Sequence, residues 1–126
     1  MGYAVNNIEN AMESFSNLGF VKEDTQVDVN RKISIAFIRN GDTLVELIEP
    51  YGENSPVDEI LKKNGPTPYH ICYSVCDIDN ALKELKKSGW VVILKKAPAP
   101  AMGDAMVAFL HNKPLGIIEL VEEKAD

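Results

Sequence analysis

The chain has no run of basic residues, no apolar stretch of membrane length and only two cysteines, and each shortage removes a class of protein. Lys62-Lys63, Lys86-Lys87 and Lys95-Lys96 are pairs, and 13 Lys and Arg stand against 19 Asp and Glu for a net charge of −6. Without a positive stripe to neutralise phosphates, neither nucleic acid nor an anionic membrane is an expected partner. Apolar stretches such as Trp90-Val91-Val92-Ile93-Leu94 fall far short of a bilayer span and are unlike a secretory leader, so a cytoplasmic location is expected. Cys72 and Cys76 lie in one strand-like stretch, about 13 Å apart at Cα. That is beyond disulfide reach. With no second pair and no histidine behind them they read as small thiols rather than a zinc site.

What is present is an ordinary globular balance, 45% hydrophobic and 25% charged over 126 residues. Disordered, collagenous and low-complexity classes are excluded. A chain of this size buries roughly two-thirds of its unfolded surface, enough for one core or two small ones, and needs no staple to fold.

The sequence repeats itself. GYAVNNIENAMESFSNLGFV, residues 2 to 21, aligns without a gap to CYSVCDIDNALKELKKSGWV, residues 72 to 91. Ala36-Phe37-Ile38 recurs as Ala108-Phe109-Leu110, and Val45-Glu46-Leu47 as Ile118-Glu119-Leu120. Each half reads as strand, helix and a run of strands, because alternation gives way to helical spacing after Val5 and Val75. Ile8, Ala11, Met12, Phe15 and Leu18 form one stripe, with Asn6 or Asn7 as N-cap and Gly19 as stop. Asp77 and Gly89 play these parts around Ile78, Ala81, Leu82 and Leu85. Short strands at Phe20 to Lys22 and Trp90 to Lys95 follow. The first hairpin is expected over Ile33 to Arg39 and Thr43 to Glu49, the second over Ala105 to Leu110 and Gly116 to Glu122. Ser55-Pro56 predicts a short helix to Lys63, with Ser as N-cap, Pro at its first position and Asp58 completing a capping box. Ala97 to Ala101 is expected as an extended loop. The predicted architecture is one α+β domain over 1–126 made of two tandem βαβββ modules, pseudo-twofold related around a concave sheet cavity. Module 1 covers about 1–50, a linker helix 51–68 and module 2 about 69–126.

The chemistry concentrates on the repeated glutamates. Glu46 shares its strand face with Leu44 and Ile48, and Glu119 shares its own with Ile117 and Val121. Carboxylates among aliphatic side chains need cations or protons. His70 opens the second module and would complete a His/Glu/Glu set suited to nickel, cobalt, manganese, iron or zinc. The alternative is that the glutamates sit at strand edges, salt-bridged or solvated, and that His70 is a satisfied linker residue.

With these residues in view the chain resembles the vicinal-oxygen-chelate superfamily, which includes glyoxalase I, methylmalonyl-CoA epimerase, extradiol dioxygenases and bleomycin-resistance proteins. The resemblance rests on GYAVNNIENAMESFSNLGF, VELIEPYGENSP, YHICYSVCDIDNAL and VAFLHNKPLGIIELVE, and spans nearly the whole chain. It implies a divalent metal held by Glu46, His70 and Glu119, and proton abstraction beside a carbonyl by Glu119 or Glu46, with the metal stabilising an enediolate. A fourth family ligand, a first-module histidine, would fall just before Met1, which implies a start placed too late, a trimmed chain or loss of that ligand. GENSP, LKKNG and FLHNK resemble methylmalonyl-CoA epimerase. Epimerases, however, commonly carry a glutamate base where this chain has Val29-Asn30-Arg31-Lys32 with only Asp28 nearby, and a Gly-His-Gly-like loop where it has Met102-Gly103-Asp104. On that ground glyoxalase I (lactoylglutathione lyase)-like chemistry ranks first and epimerase second. A non-catalytic binder of the bleomycin-resistance type is the third reading. The expected substrate is a small anionic thiol conjugate or CoA thioester, met by Arg31, Lys32, Lys95, Lys96 or Lys113. By resemblance a homodimer is expected. Tyr3, Tyr69 and Tyr73 read as core or rim, and His111 as an exposed turn residue.

Overall fold

The structure, a computed structural model, describes residues 1–123. Its elements in order are β1 (Gly2–Ala4), α1 (Ile8–Ser16), β2 (Val21–Asp28), β3 (Ile33–Asn40), β4 (Thr43–Pro50), α2 (Asp58–Asn64), β5 (Thr67–Val75), α3 (Ile78–Lys87), β6 (Val91–Ala99), a 3-10 turn at Pro100–Met102, β7 (Ala105–Asn112) and β8 (Gly116–Glu122). The chain is α+β and divides into two compact units, Met1–Tyr69 and a second that begins at His70. Within the first, β2, β3 and β4 pair antiparallel and β1 joins β4 in parallel. Within the second, β6, β7 and β8 pair antiparallel and β5 joins β8 in parallel. No helix among the described residues is long and apolar enough to cross a membrane.

The same local devices build both units. Asn7 accepts the Asn10 N–H at 2.9 Å and Asp77 accepts the Asn80 N–H at 3.0 Å, so each helix begins on a side-chain cap. A glutamate carboxylate then also reaches each helix start from the last strand of its unit. Glu49 accepts the Ile8 N–H at 3.2 Å and Glu122 accepts the Ile78 N–H at 2.9 Å. These are donors a helix cannot satisfy internally, at its positive end. Both helices close with a reverse bond, Phe20 N–H to Phe15 O and Trp90 N–H to Leu85 O, across Gly19 (φ 93°) and Gly89 (φ 92°). That left-handed backbone is costly for any residue with a Cβ.

Each helix covers one sheet face. In the first unit Val5, Ile8, Ala36, Ile38, Val45 and Leu47 form the core, with Tyr3, Met12, Phe15 and Phe20 packed on it. In the second, Ile78, Ala108, Leu110, Ile118 and Leu120 form it, with Leu82, Leu85 and Trp90 against them. Alternation sends Glu46 and Glu119 to the opposite faces.

Several sequence expectations need correction. Strand β2 runs to Asp28 rather than Lys22, because it pairs along the full length of β3. Strand β6 runs to Ala99, absorbing most of the expected loop, and a 3-10 turn takes the rest. Pro98 is accommodated because β6 lies at the end of its unit's strand order, where a missing N–H need not break a ladder. Helix α2 starts at Asp58 with Val57 as N-cap. The Asp58 carboxylate does accept the Ser55 N–H at 2.9 Å, half of the expected box, but Ser55 Oγ caps nothing.

Candidate functional site

In the second unit the parallel pairing of β5 with β8 sets His70 beside Ile117 and Cys72 beside Glu119. Period-2 alternation therefore puts His70, Cys72 and Glu119 on one sheet face, away from the helix. His70 Nε2 lies 3.0 Å from Glu119 Oε1, and the two residues are 4% and 3% exposed. A buried carboxylate on a buried imidazole pairs Nε2 with Oε1 as an ion pair or a neutral hydrogen bond, while Nδ1 makes no hydrogen bond. Two donor atoms this close could also hold one ion together. Phe109 stands opposite Glu119 on β7, and its ring meets His70 edge-on, centroids 5.4 Å apart and planes at 77°.

Glu46 holds the corresponding place in the first unit. It pairs with Gly2 on β1 and Phe37 on β3, as Glu119 pairs with Cys72 and Phe109. It is 7% exposed, and its backbone N–H bonds Met1 O at 2.9 Å. All three predicted residues are buried, so the glutamates are not solvated at strand edges, and Glu119 is paired with His70. Imidazole and carboxylate oxygen are donors for borderline divalent ions, so the chemistry of the donors fits the expected metal.

The other candidates fall elsewhere. Asp28, 6% exposed, ends β2 and accepts the Arg31 N–H at 3.0 Å, with the Arg31 guanidinium at 3.4 Å. It holds the β2–β3 turn, in which Lys32 adopts φ 57°. The equivalent register position in the second unit is Ala99. Lys96, offered as a substrate cation, is bound to Asp79 at 2.8 Å, and that hydrogen bond raises its pKa. Lys32, Lys95 and Lys113 are exposed. His111 is exposed on β7 rather than in the turn. Tyr3 packs on Phe15 in the first core, whereas Tyr73 is 51% exposed. Neither Cys72 nor Cys76 is in a disulfide. Phe37 and Phe109 were part of the sequence repeat without being read as site residues. Their pairing with the glutamates needs the strand register to be seen.

Two βαβββ units with a buried glutamate on the helix-free face of each describe one superfamily. The sequence matches the Glyoxalase/Bleomycin resistance protein/Dioxygenase superfamily over residues 1–109, and the chain belongs to it. It is 32% identical over 124 residues to "Methylmalonyl-CoA epimerase, mitochondrial" of Dictyostelium discoideum, covering 96% of this chain and 74% of that protein. Against the "Ethylmalonyl-CoA/methylmalonyl-CoA epimerase" of Cereibacter sphaeroides it is 35% identical over 112 residues, 87% of this chain and 84% of that protein. A variant of Streptomyces coelicolor methylmalonyl-CoA epimerase in complex with 2-nitronate-propionyl-CoA superposes with a TM-score of 0.86 at 27% identity, over 98% of this chain and 94% of that one. The relatives favour the epimerase alternative over glyoxalase I, and isomerase over lyase chemistry.

Proposed function

We propose that the protein is a metal-dependent epimerase of a 2-substituted malonyl-CoA thioester, methylmalonyl-CoA being the first candidate. The observation that carries this reading is the buried Glu119–His70 contact in a chain whose relatives are epimerases over most of its length. Glu46, His70 and Glu119 would hold the ion, completed by oxygens of water or substrate. A bound divalent ion supplies positive charge to the substrate oxygens that gain electron density when the α-proton leaves.

The residues supply the rest. The α-carbon lies between a thioester and a carboxylate, so its proton is removable by a carboxylate placed within hydrogen-bond reach. Glu119 takes it. Inversion requires the proton to return on the opposite face, which needs a second carrier. Glu46 is the repeat-related candidate. Asp28 is the positional one, the carboxylate nearest the Val29-Asn30-Arg31-Lys32 segment where epimerases commonly have a glutamate. Ile48, two residues from Glu46 on the same strand face, is buried, an apolar setting that would limit the access of water to that carboxylate.

The test is a single stereoisomer of methylmalonyl-CoA in D2O with Co2+-loaded protein. Exchange of the α-proton together with appearance of the other stereoisomer is expected, reduced by at least about 10²-fold in Glu119→Gln. In Glu46→Gln or Asp28→Asn, exchange without inversion identifies the second carrier. Turnover of the methylglyoxal–glutathione hemithioacetal without epimerisation would restore glyoxalase I, and inactivity on both would leave a binding protein.

A further inference from the structure

Each strand of the second unit's sheet gives one residue to the row that crosses it at Glu119. Cys72 lies beside Glu119 on β5, Phe109 opposite it on β7, and Leu94 opposite Phe109 on β6. Residues directly opposite in a ladder share a sheet face. Leu94 therefore stands on the helix-free face, two strand spacings or about 10 Å from Glu119 at Cα. It is a large aliphatic side chain, 55% exposed, on the face that carries the chemistry. Register shifts fall on both sides of it, between Val92 and Leu94 and between Leu94 and Ala97. Such bulges re-aim side chains and recur beside functional sites.

The first unit has the same row with a different end. Asp24 lies opposite Phe37, which lies opposite Glu46, and a register shift between Lys22 and Asp24 precedes it. The Asp24 carboxylate accepts the Thr25 N–H at 2.9 Å and the Gln26 side-chain amide at 3.1 Å. The next positions along this face are Gln26 and Asp28 in β2, against Ala97 and Ala99 in β6. From the glutamate row onward one end strand is polar on this face, and its repeat-related counterpart is apolar.

We propose that Leu94 is a specificity-determining residue, and that the apolar strip it forms with Phe109 receives the alkyl group on C2 of the substituted malonyl thioester. This rests on the epimerase reading of the same site. Of the four groups on that carbon, the carboxylate and the thioester present oxygens and the hydrogen is the one removed. Only the alkyl group gains from an apolar surface. With the α-carbon in reach of Glu119, the two residues that follow in the row carry hydrocarbon side chains. The row through Glu46 ends instead on a carboxylate, which an alkyl group would strip of water. Each added methylene extends the alkyl group along the strip toward Leu94, so the influence of that residue grows with alkyl length.

The experiment measures α-proton exchange in D2O by the full Co2+-loaded chain with methyl-, ethyl- and propylmalonyl-CoA, for wild type, L94D, L94M and Asp24→Asn. The ratio of kcat/KM between thioesters does not depend on how much protein is folded. A methylene gained or lost in an apolar pocket is worth about 10- to 200-fold, and the lower end applies to a strip this open. L94D should lower the propyl-to-methyl ratio about tenfold, with ethyl between them. L94M, which stays apolar, should keep the wild-type ratio, as should Asp24→Asn. Calorimetry in the Glu119→Gln background, where turnover is suppressed, should show L94D weakening propylmalonyl-CoA more than methylmalonyl-CoA. An unchanged ratio in L94D, or an equal change in Asp24→Asn, would overturn the inference while leaving the epimerase standing. Exchange of none of the three thioesters by wild type would overturn the epimerase reading and the inference with it.

Discussion

The two units of this chain use one set of fastenings and differ in what they add to it. Each carries two glutamates three residues apart on its last strand, Glu46 and Glu49 in the first, Glu119 and Glu122 in the second. Glu49 and Glu122 bond the opening N–H of α1 and α3, so their recurrence has a structural cause in each unit separately. Glu46 and Glu119 lie on the other sheet face, where no helix needs capping. The additions are unequal. The second unit has His70 on its first strand, bonded to Glu119, and the first has the buried Asp28 where the second has Ala99. The cores differ too, Tyr3, Phe15 and Phe20 in one being answered by Leu85 and Trp90 in the other. A duplicated strand thus separates two kinds of repeated carboxylate. One kind holds the fold, and the other is available for chemistry.

That separation is sharpest at β8. Glu119→Gln should lower epimerisation by about 10²-fold or more, with the melting temperature close to wild type. Glu122→Ala should do the reverse, keeping turnover while costing about 1 kcal/mol in denaturant unfolding. If both variants lost activity equally, the two glutamates would not be functionally distinct. Next in size are the cores. Ile38→Ala and Leu110→Ala, both fully buried, should each cost about 2–5 kcal/mol. Calorimetry on each shows whether the units melt together, since a split endotherm in only one variant would mark them as independent. Asp28→Ala should cost about 1–2 kcal/mol, because it leaves the Arg31 N–H of the β2–β3 turn without its acceptor. Ala99→Gly should not reproduce the loss of inversion if Asp28 is the second proton carrier. The smallest effect is expected at Lys96→Met, where the Asp79 pair is exposed and solvent-screened. Its melting curve should overlay the wild type.

The repeat made most of the fold legible, since caps, glycine stops and apolar stripes are local signals that agreed at two places in one sequence. Glu46 and Glu119 stood out as candidates for the same reason, as repeated carboxylates interrupting apolar strands, and His70 as a candidate from its place at the opening of the second module. Other features depended on neighbours remote in sequence. The Ala97 to Ala101 segment reads as a loop from its prolines, yet pairing with β7 holds it as strand to Ala99. Ser55 looks like an N-cap from its proline, but Asp58 takes the Ser55 N–H and the helix starts two residues later than the Pro56 signal suggests. Phe109 in an alternating strand is ordinarily core, and its contact with His70 arises only when β7, β8 and β5 lie side by side.

The carboxylate caps also place two built-in reporters in the backbone. The first amide of a helix ordinarily exchanges its hydrogen with solvent quickly, because it has no partner within the helix. Here the Ile8 and Ile78 amides are held by side chains from the ends of β4 and β8. Their deuterium uptake should therefore be slow and should follow the release of those strand ends, so that two backbone amides, one per unit, time the loosening of the strands that carry Glu46 and Glu119.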